Sequence, residues 1–265
     1  MKKIGVYLKI LSLSLQVQLE YKMNFLLSFL FKLVPFVVNI FVWLAVSTIG
    51  KFSMSRDEIV TYYLFNLITS NMLICSIQYE ISEDIRTGTI SKYLIKPVSY
   101  MSYQMMKDLT SRVIFLLLGT IPVAFIVVVM RDYITYQFRA EYLIMYLLSL
   151  GIGYIINFFV CFLISELSFY FTNVSSVFAT IDVIKDIISG AIFPLSLLPA
   201  TVANGLIALP FSYIGYIPCS IMLGQYPIET VRLQMGIGIL WCIALGLLSK
   251  LVWRSGLKKY AVFGG

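Results

Sequence analysis

Three ionisable side chains interrupt a long apolar run: Asp182, Lys185 and Asp186. Their i, i+3, i+4 spacing places them on one face of a helix. In hydrocarbon, each charge costs a few kcal/mol when unpaired and exposed to lipid. Two readings follow. The cluster is either a polar patch on a path through the membrane, exchanging partners, or a self-neutralising group in which Lys185 pairs with the acids. Asn66, Thr69 and Ser70 form a second polar group. They face the same path or glue helices together, the commoner role of such residues in lipid.

Other chemistry is excluded by residue type. Histidine is absent, which removes the commonest general base and every His-based metal site. Cys75, Cys161, Cys219 and Cys242 are far apart, with no CxxC spacing, so packing is their expected role. No GxxxxGK[ST], GxSxG or HExxH pattern occurs. The chain therefore has no P-loop for ATP and no signature of hydrolysis, and no cofactor is expected on it.

The elements that position these residues must lie in lipid. Hydrophobic residues make up 60% of the chain and charged ones 12%, against about half and about a quarter in soluble domains. The net charge of +7 comes from basic residues between apolar spans, which points to headgroups rather than nucleic acid. A crossing needs roughly 20 apolar residues. Windows of that kind cover Phe25–Ser47, Ile59–Tyr79, Val113–Met130, Tyr142–Ser165, a stretch beginning near Val174, and Leu233–Val252. Ahead of them, Ile4–Lys22 carries Val6, Ile10, Leu13 and Val17 on one face and is too polar to cross, so it is expected along the membrane surface. Lys32 is expected to snorkel to the headgroups, and Glu166 to sit at the interface.

No charge falls between Ile187 and Ile228, and Pro194, Pro199, Pro210, Pro218 and Pro227 divide that stretch. It is either one more crossing or a re-entrant hairpin. Six crossings gather Lys2, Lys3, Lys9, Lys22, Arg86, Lys92, Lys96, Lys107, Arg112, Lys250, Arg254, Lys258 and Lys259 on one side. Lys51, Arg56, Arg131, Arg139 and Arg232 fall on the other. Basic loops stay cytoplasmic, which puts both termini inside and favours the hairpin over residues 194–228. The expected fold is all-α: one membrane domain over residues 1–265, with an elbow helix at 1–22 and six transmembrane helices.

The longest loop on the basic side, Glu80–Tyr100, is amphipathic. Ile81, Ile85, Ile90, Leu94 and Ile95 alternate with charged and hydroxyl residues, and Thr87-Gly88-Thr89 reads as a turn between two short helices. It suits either docking onto a soluble partner or a solvated loop held at the headgroups.

This loop resembles the cytosolic loop of ABC-2 type permeases, where an Ile-Arg-x-Gly-Thr-Ile-Ser-like stretch leads into a Leu-x-Lys/Arg-Pro ending. Ser189-Gly-Ala-Ile-Phe-Pro-Leu-Ser-Leu-Leu-Pro199, then Leu209-Pro-Phe, Leu223-Gly and Gly264-Gly265, are similar to further blocks of that family. The closest likeness is to six-span permeases that pair in the membrane and recruit a separate ATPase. The resemblance implies a coupling helix at 80–100, with the ATPase contact centred on Glu83, Asp84, Arg86, Thr87, Gly88 and Thr89. It implies two cytoplasmic ATPase subunits carrying ATP-Mg, and a second permease half, identical or a paralogue. It also implies outward transport across a bacterial plasma membrane; the apolar path suits a hydrophobic or amphipathic cargo, and the placement of Asp182, Lys185, Asp186, Asn66 and Ser70 makes them the path candidates. A non-transporting accessory subunit and a lipid-acting membrane enzyme are the alternatives.

Overall fold

In the computed structural model, residues 2–49, 55–96, 98–134 and 139–264 are described, with side chains for 5–46, 55–96, 98–134 and 139–260. Lys51, Pro97 and Gly265 lie outside the described residues, as do the side chains of Lys2 and Lys3.

The described residues are helical without strands. Helix α1 (Lys2–Glu20) turns at Tyr21 into α2 (Lys22–Ile49), which runs unbroken through Pro35. Ser55 and Glu58 form a reciprocal capping box that starts α3 (Arg56–Leu73). After a break come α4 (Ile77–Arg86) and the single turn α5 (Ser91–Leu94). Helix α6 (Tyr100–Ile114) passes through a π-helical turn at Phe115–Gly119 into α7 (Thr120–Val129). Helix α8 (Ala140–Ser165) is followed by α9 (Ser175–Ile188), the short α10 (Ala200–Ile207) and α11 (Tyr216–Met222), and the long α12 (Ile228–Gly264).

Among the described residues, five stretches are long and apolar enough to cross a membrane: Lys22–Val46, Arg56–Arg86, Tyr100–Val129, Ala140–Phe169 and Ile228–Tyr260. Helix α9 covers 14 residues, short of the roughly 20 that a crossing needs. The segment after it is a chain of short helical pieces, as its prolines demand. The carbonyl of Ser189 accepts from Tyr216 N at 2.8 Å, which folds the start of that segment back against α11. Gly190 makes the bend with φ +83, and a Cβ there would stand 2.8 Å from Tyr216 Cβ.

Helix α8 is the hub, packed on α3, α4, α11 and α12. Two clusters surround it. One joins Tyr62, Ile156, Tyr213, Ile217 and Cys219. The other lies under the α4–α6 loop and joins Ile77, Ile81, Ile85, Ile90, Phe158, Cys161 and Phe162, with Trp253, Leu257 and Tyr260 of α12 against it. Since lipid is as apolar as these side chains, close packing rather than exclusion of water holds them. Helix α12 touches both clusters, with Tyr213 Oη donating to Gln234 O at 2.8 Å near one end and Trp253 stacked on Tyr100 at 5.4 Å near the other.

Two expectations need correction here. Residues 59–79 do not form one continuous helix: the second apolar window breaks at Ile74–Ser76. Of the loop's apolar set, Ile81, Ile85 and Ile90 are buried, but Leu94 and Ile95 are exposed, because the turn of α5 faces them away from the cluster. Helix α1 packs along α6, with Gln18 Nε2 donating to Thr110 Oγ1 at 2.7 Å. Its half-buried positions are Tyr7, Ile10, Leu11, Ser14, Leu15 and Gln18, while Val6, Leu13 and Val17 of the apolar face are exposed.

Candidate functional site: an exposed loop, a helix break and a cavity

The loop comes first in the chain of contacts. Glu83 and Arg86 form an exposed ion pair at 2.8 Å, one turn apart on α4. Thr87 Oγ1 donates to Glu83 O at 2.8 Å and lies 3.0 Å from Thr89 Oγ1. Gly88 turns the chain with φ +75, a conformation that side-chain-bearing residues rarely adopt. Glu83, Arg86 and Thr87 are exposed; Gly88 and Thr89 are half-buried. Asp84 is different: its carboxylate accepts from Tyr100 Oη, which in turn accepts from Gln104 Nε2 at 2.8 Å. Asp84 therefore braces α4 against α6, as does the ion pair between Glu80 and Lys107. Tyr93 packs beneath the tip at 4.8 Å from Tyr103. A hydrogen bond with Tyr103, then burial, pushes its phenol up to about 12, so it stays neutral.

The break between α3 and α4 is the feature missed in the sequence. Unwound backbone at membrane depth needs partners for its carbonyls. Arg112 supplies two, with Nε donating to Met72 O at 3.2 Å and an Nη to Ile74 O. Asn157 Nδ2 donates to Leu73 O, and Cys161 Sγ lies 3.5 Å from Cys75 O. Arg112 is 6% exposed and pairs with Asp108 at 2.8 Å, while its guanidinium stacks over Tyr154 at 4.9 Å. By charge alone Arg112 looked like one more loop cation. The available signal was Asp108 at i−4, an acid and a base on one face of α6.

Beside the break lies a cavity of about 620 Å3. Helices α2, α3 and α9 each turn one stripe into it: Lys32, Pro35, Phe36 and Asn39; Tyr63, Asn66, Leu67, Ser70 and Asn71; Asp182, Lys185, Asp186 and Ser189. All five path candidates thus line one space. Within it, Lys185 pairs with Asp182 at 2.9 Å, and Asp182 also accepts from Gln78 Nε2 at 3.1 Å and Tyr79 Oη at 3.2 Å. Asp186 is exposed and its carboxylate accepts no hydrogen bond among the described residues. Asn66 Nδ2 donates to Ala191 O at 3.2 Å and its Oδ1 accepts from Ser70 Oγ at 2.7 Å. Thr69, by contrast, meets Tyr146 at 3.1 Å and serves as helix glue.

Two further expectations change. Lys32 does not snorkel to the headgroups; it reaches inward and donates to Asn71 Oδ1 at 3.0 Å, because α2 turns that face toward the amides of α3. Glu166 is not interfacial: it is 0% exposed, and neither carboxylate oxygen has a hydrogen-bond partner among the described residues. The 3-10 turn over Glu166–Phe169 tucks it under the end of α8.

Long apolar helices packed around a cavity lined by both polar and apolar side chains define a multi-pass membrane protein. The chain belongs to the family described as ABC-2 family transporter protein, which matches residues 29–264. Members of this family lack an ATPase domain. No curated protein matches the chain.

Proposed function

We propose that this chain is the membrane-spanning permease subunit of an exporter, moving a hydrophobic or amphipathic cargo outward with energy from ATP hydrolysed on partner subunits. The observation that carries the reading is the continuity from tip to cavity. The exposed Glu83–Arg86–Thr87 tip sits on α4, α4 is braced to α6 by Asp84–Tyr100 and Glu80–Lys107, and α4 meets α3 at the break whose residues Ile74, Cys75 and Ser76 line the cavity. A push on the tip is thereby a rotation at the cavity wall. Two cytoplasmic ATPases carrying ATP-Mg dock at Glu83, Arg86, Thr87, Gly88 and Thr89, with Asp84 as the internal brace. A second permease half, identical or a paralogue, completes the path, since a symmetric pair of motors calls for a two-fold pair of membrane subunits. Six crossings, with α9 as the fifth and residues 194–228 re-entrant, put both termini in the cytoplasm.

Cys75, Cys161 and Cys219 are buried and Cys242 is partly so, which leaves the surface free for single-cysteine crosslinking. Thr87→Cys is expected to capture the ATPase subunit, with yield changing between nucleotide-free and ATP-bound states. Capture only at Arg131→Cys or Arg139→Cys, on the opposite side of the bundle, refutes the docking assignment.

A further inference from the structure

The four charges that line the cavity divide into a closed set and an open one. Lys185 and Asp182 neutralise each other at 2.9 Å, and Gln78 and Tyr79 satisfy the remaining lone pairs of Asp182. The charges of that pair are balanced without a ligand, although Gln78 Oε1 is buried with no partner among the described residues. Lys32 stands outside it, and Asp186 feels Lys185 only through space, with no hydrogen-bonded ion pair among the described residues. Lys32 is held by a neutral acceptor, the Asn71 amide oxygen at 3.0 Å, and has no carboxylate within ion-pair distance among the described residues. Asp186 is exposed at the rim and has no ion pair there either. A charge in a low-dielectric setting is stabilised by a counter-charge or expelled. One cation and one anion facing one space, unpaired with each other, therefore define two complementary half-sites.

The remaining lining completes the description. Asn39, Ser70 and Asn71 add polar lining, with Ser70 bonded to Asn66 and Asn71 to Lys32 and Leu67 O, and Pro35, Ile74 and Ile192 are exposed apolar lining. The volume of about 620 Å3 falls within the roughly 300–1,000 Å3 of small-molecule sites.

We propose that this cavity binds a zwitterionic amphiphile, its cationic group at Asp186, its anionic group at Lys32, and its apolar chain leaving past Pro35, Ile74 and Ile192. As the cargo site it rests on the exporter reading; as a binding site it does not. A ligand of either single charge satisfies one half-site and leaves the other unpaired. Selectivity is thus built into the wall: a dipolar headgroup is accepted whole.

The test uses the purified full chain in nanodiscs of phosphatidylglycerol, so that the bilayer supplies no zwitterion. Three probes share a dodecyl chain: dodecylphosphocholine, dodecyltrimethylammonium and dodecyl phosphate, each below its micellar concentration. Binding is read from Trp43 fluorescence, because Trp43 Nε1 donates to Ile192 O at 3.1 Å at the cavity rim. Dodecylphosphocholine is expected to bind roughly tenfold tighter than either singly charged probe, about one ion pair's discrimination. Asp186→Asn should bring it down to the level of dodecyl phosphate, and Lys32→Gln to that of dodecyltrimethylammonium. Glycerophosphocholine, the same headgroup without a chain, should bind at least tenfold more weakly; equal binding shows a soluble zwitterion as the ligand and overturns the amphiphile. Equal affinity for all three dodecyl probes, or affinities unmoved by both substitutions, overturns the proposal. Stimulation of the partner ATPase by dodecylphosphocholine is measured separately. Selective binding without stimulation upholds the site and refutes only the exporter reading; stimulation without charge selectivity does the reverse.

Discussion

Arg112→Ala is the perturbation that tests the helix break most directly. Arg112 and Asp108 have side chains only 7% exposed, so the substitution strands a carboxylate in the interior. Breaking a buried pair from one side costs about 3–5 kcal/mol. Met72 O and Ile74 O also lose their donor, at about 1 kcal/mol each where no water replaces it. A combined loss of about 5–7 kcal/mol corresponds to a fall in Tm of about 10–28 °C for a chain of this size. Thermal unfolding in nanodiscs, followed by intrinsic fluorescence, measures it. The double variant Asp108→Asn with Arg112→Met separates the two contributions. Removing both charges is often near neutral for stability, so most of the Tm should return. The carbonyls at the break remain without donors, so transport should not return with it. Were Arg112→Ala to lose less than about 3 °C, the guanidinium would not be holding the break, and the pivot assigned to residues 74–76 would be wrong.

Other substitutions probe other parts. Gly88→Ala forces a side chain into φ +75 and should cost about 1–2 kcal/mol locally, lowering ATPase coupling more than global Tm. Asp182→Asn leaves Lys185 without its partner and should destabilise by several kcal/mol, whereas Asp186→Asn, at an exposed carboxylate, should stay within about 0.5 kcal/mol; equal Tm shifts for the two would contradict the split between closed and open charges. Glu166→Leu replaces a buried carboxyl that lacks partners and should raise Tm, by about 1–3 kcal/mol of removed desolvation. A fall in Tm would show that Glu166 is paired in the intact assembly. Tyr100→Phe removes the hydroxyl between Asp84 and Gln104 and should weaken coupling while leaving Thr87→Cys capture possible.

Much of this architecture was legible because lipid imposes long-range regularity. Apolar windows of crossing length gave the five long helices, and proline spacing gave the broken stretch after α9. Gly88 between two threonines marked the turn after α4. The path candidates at i, i+3, i+4 converged because helical periodicity fixes which residues share a face, although nothing in one helix reveals which neighbour its polar stripe will meet. That is why Lys32 and Asn71, thirty-nine positions apart, were not linked. The break at 74–76 was invisible for a related reason. Ile74, Cys75 and Ser76 carry no helix-breaking residue; the unwinding is stabilised by Arg112, Asn157 and Cys161 from elsewhere in the chain. Glu166 was misplaced because position along a span does not report depth of burial under a 3-10 turn.

The single rod of α12 has a consequence of its own. Between Gln234, which accepts from Tyr213, and Tyr260, which lies 3.4 Å from the Cβ position of Gly88, the helix rises about 39 Å without a joint. A tilt imposed by the proline-rich pieces at one end is therefore carried along one helix to the turn at Gly88 at the other. The two ends of the molecule are in this way joined by the lean of one mast rather than by a chain of separate side-chain contacts.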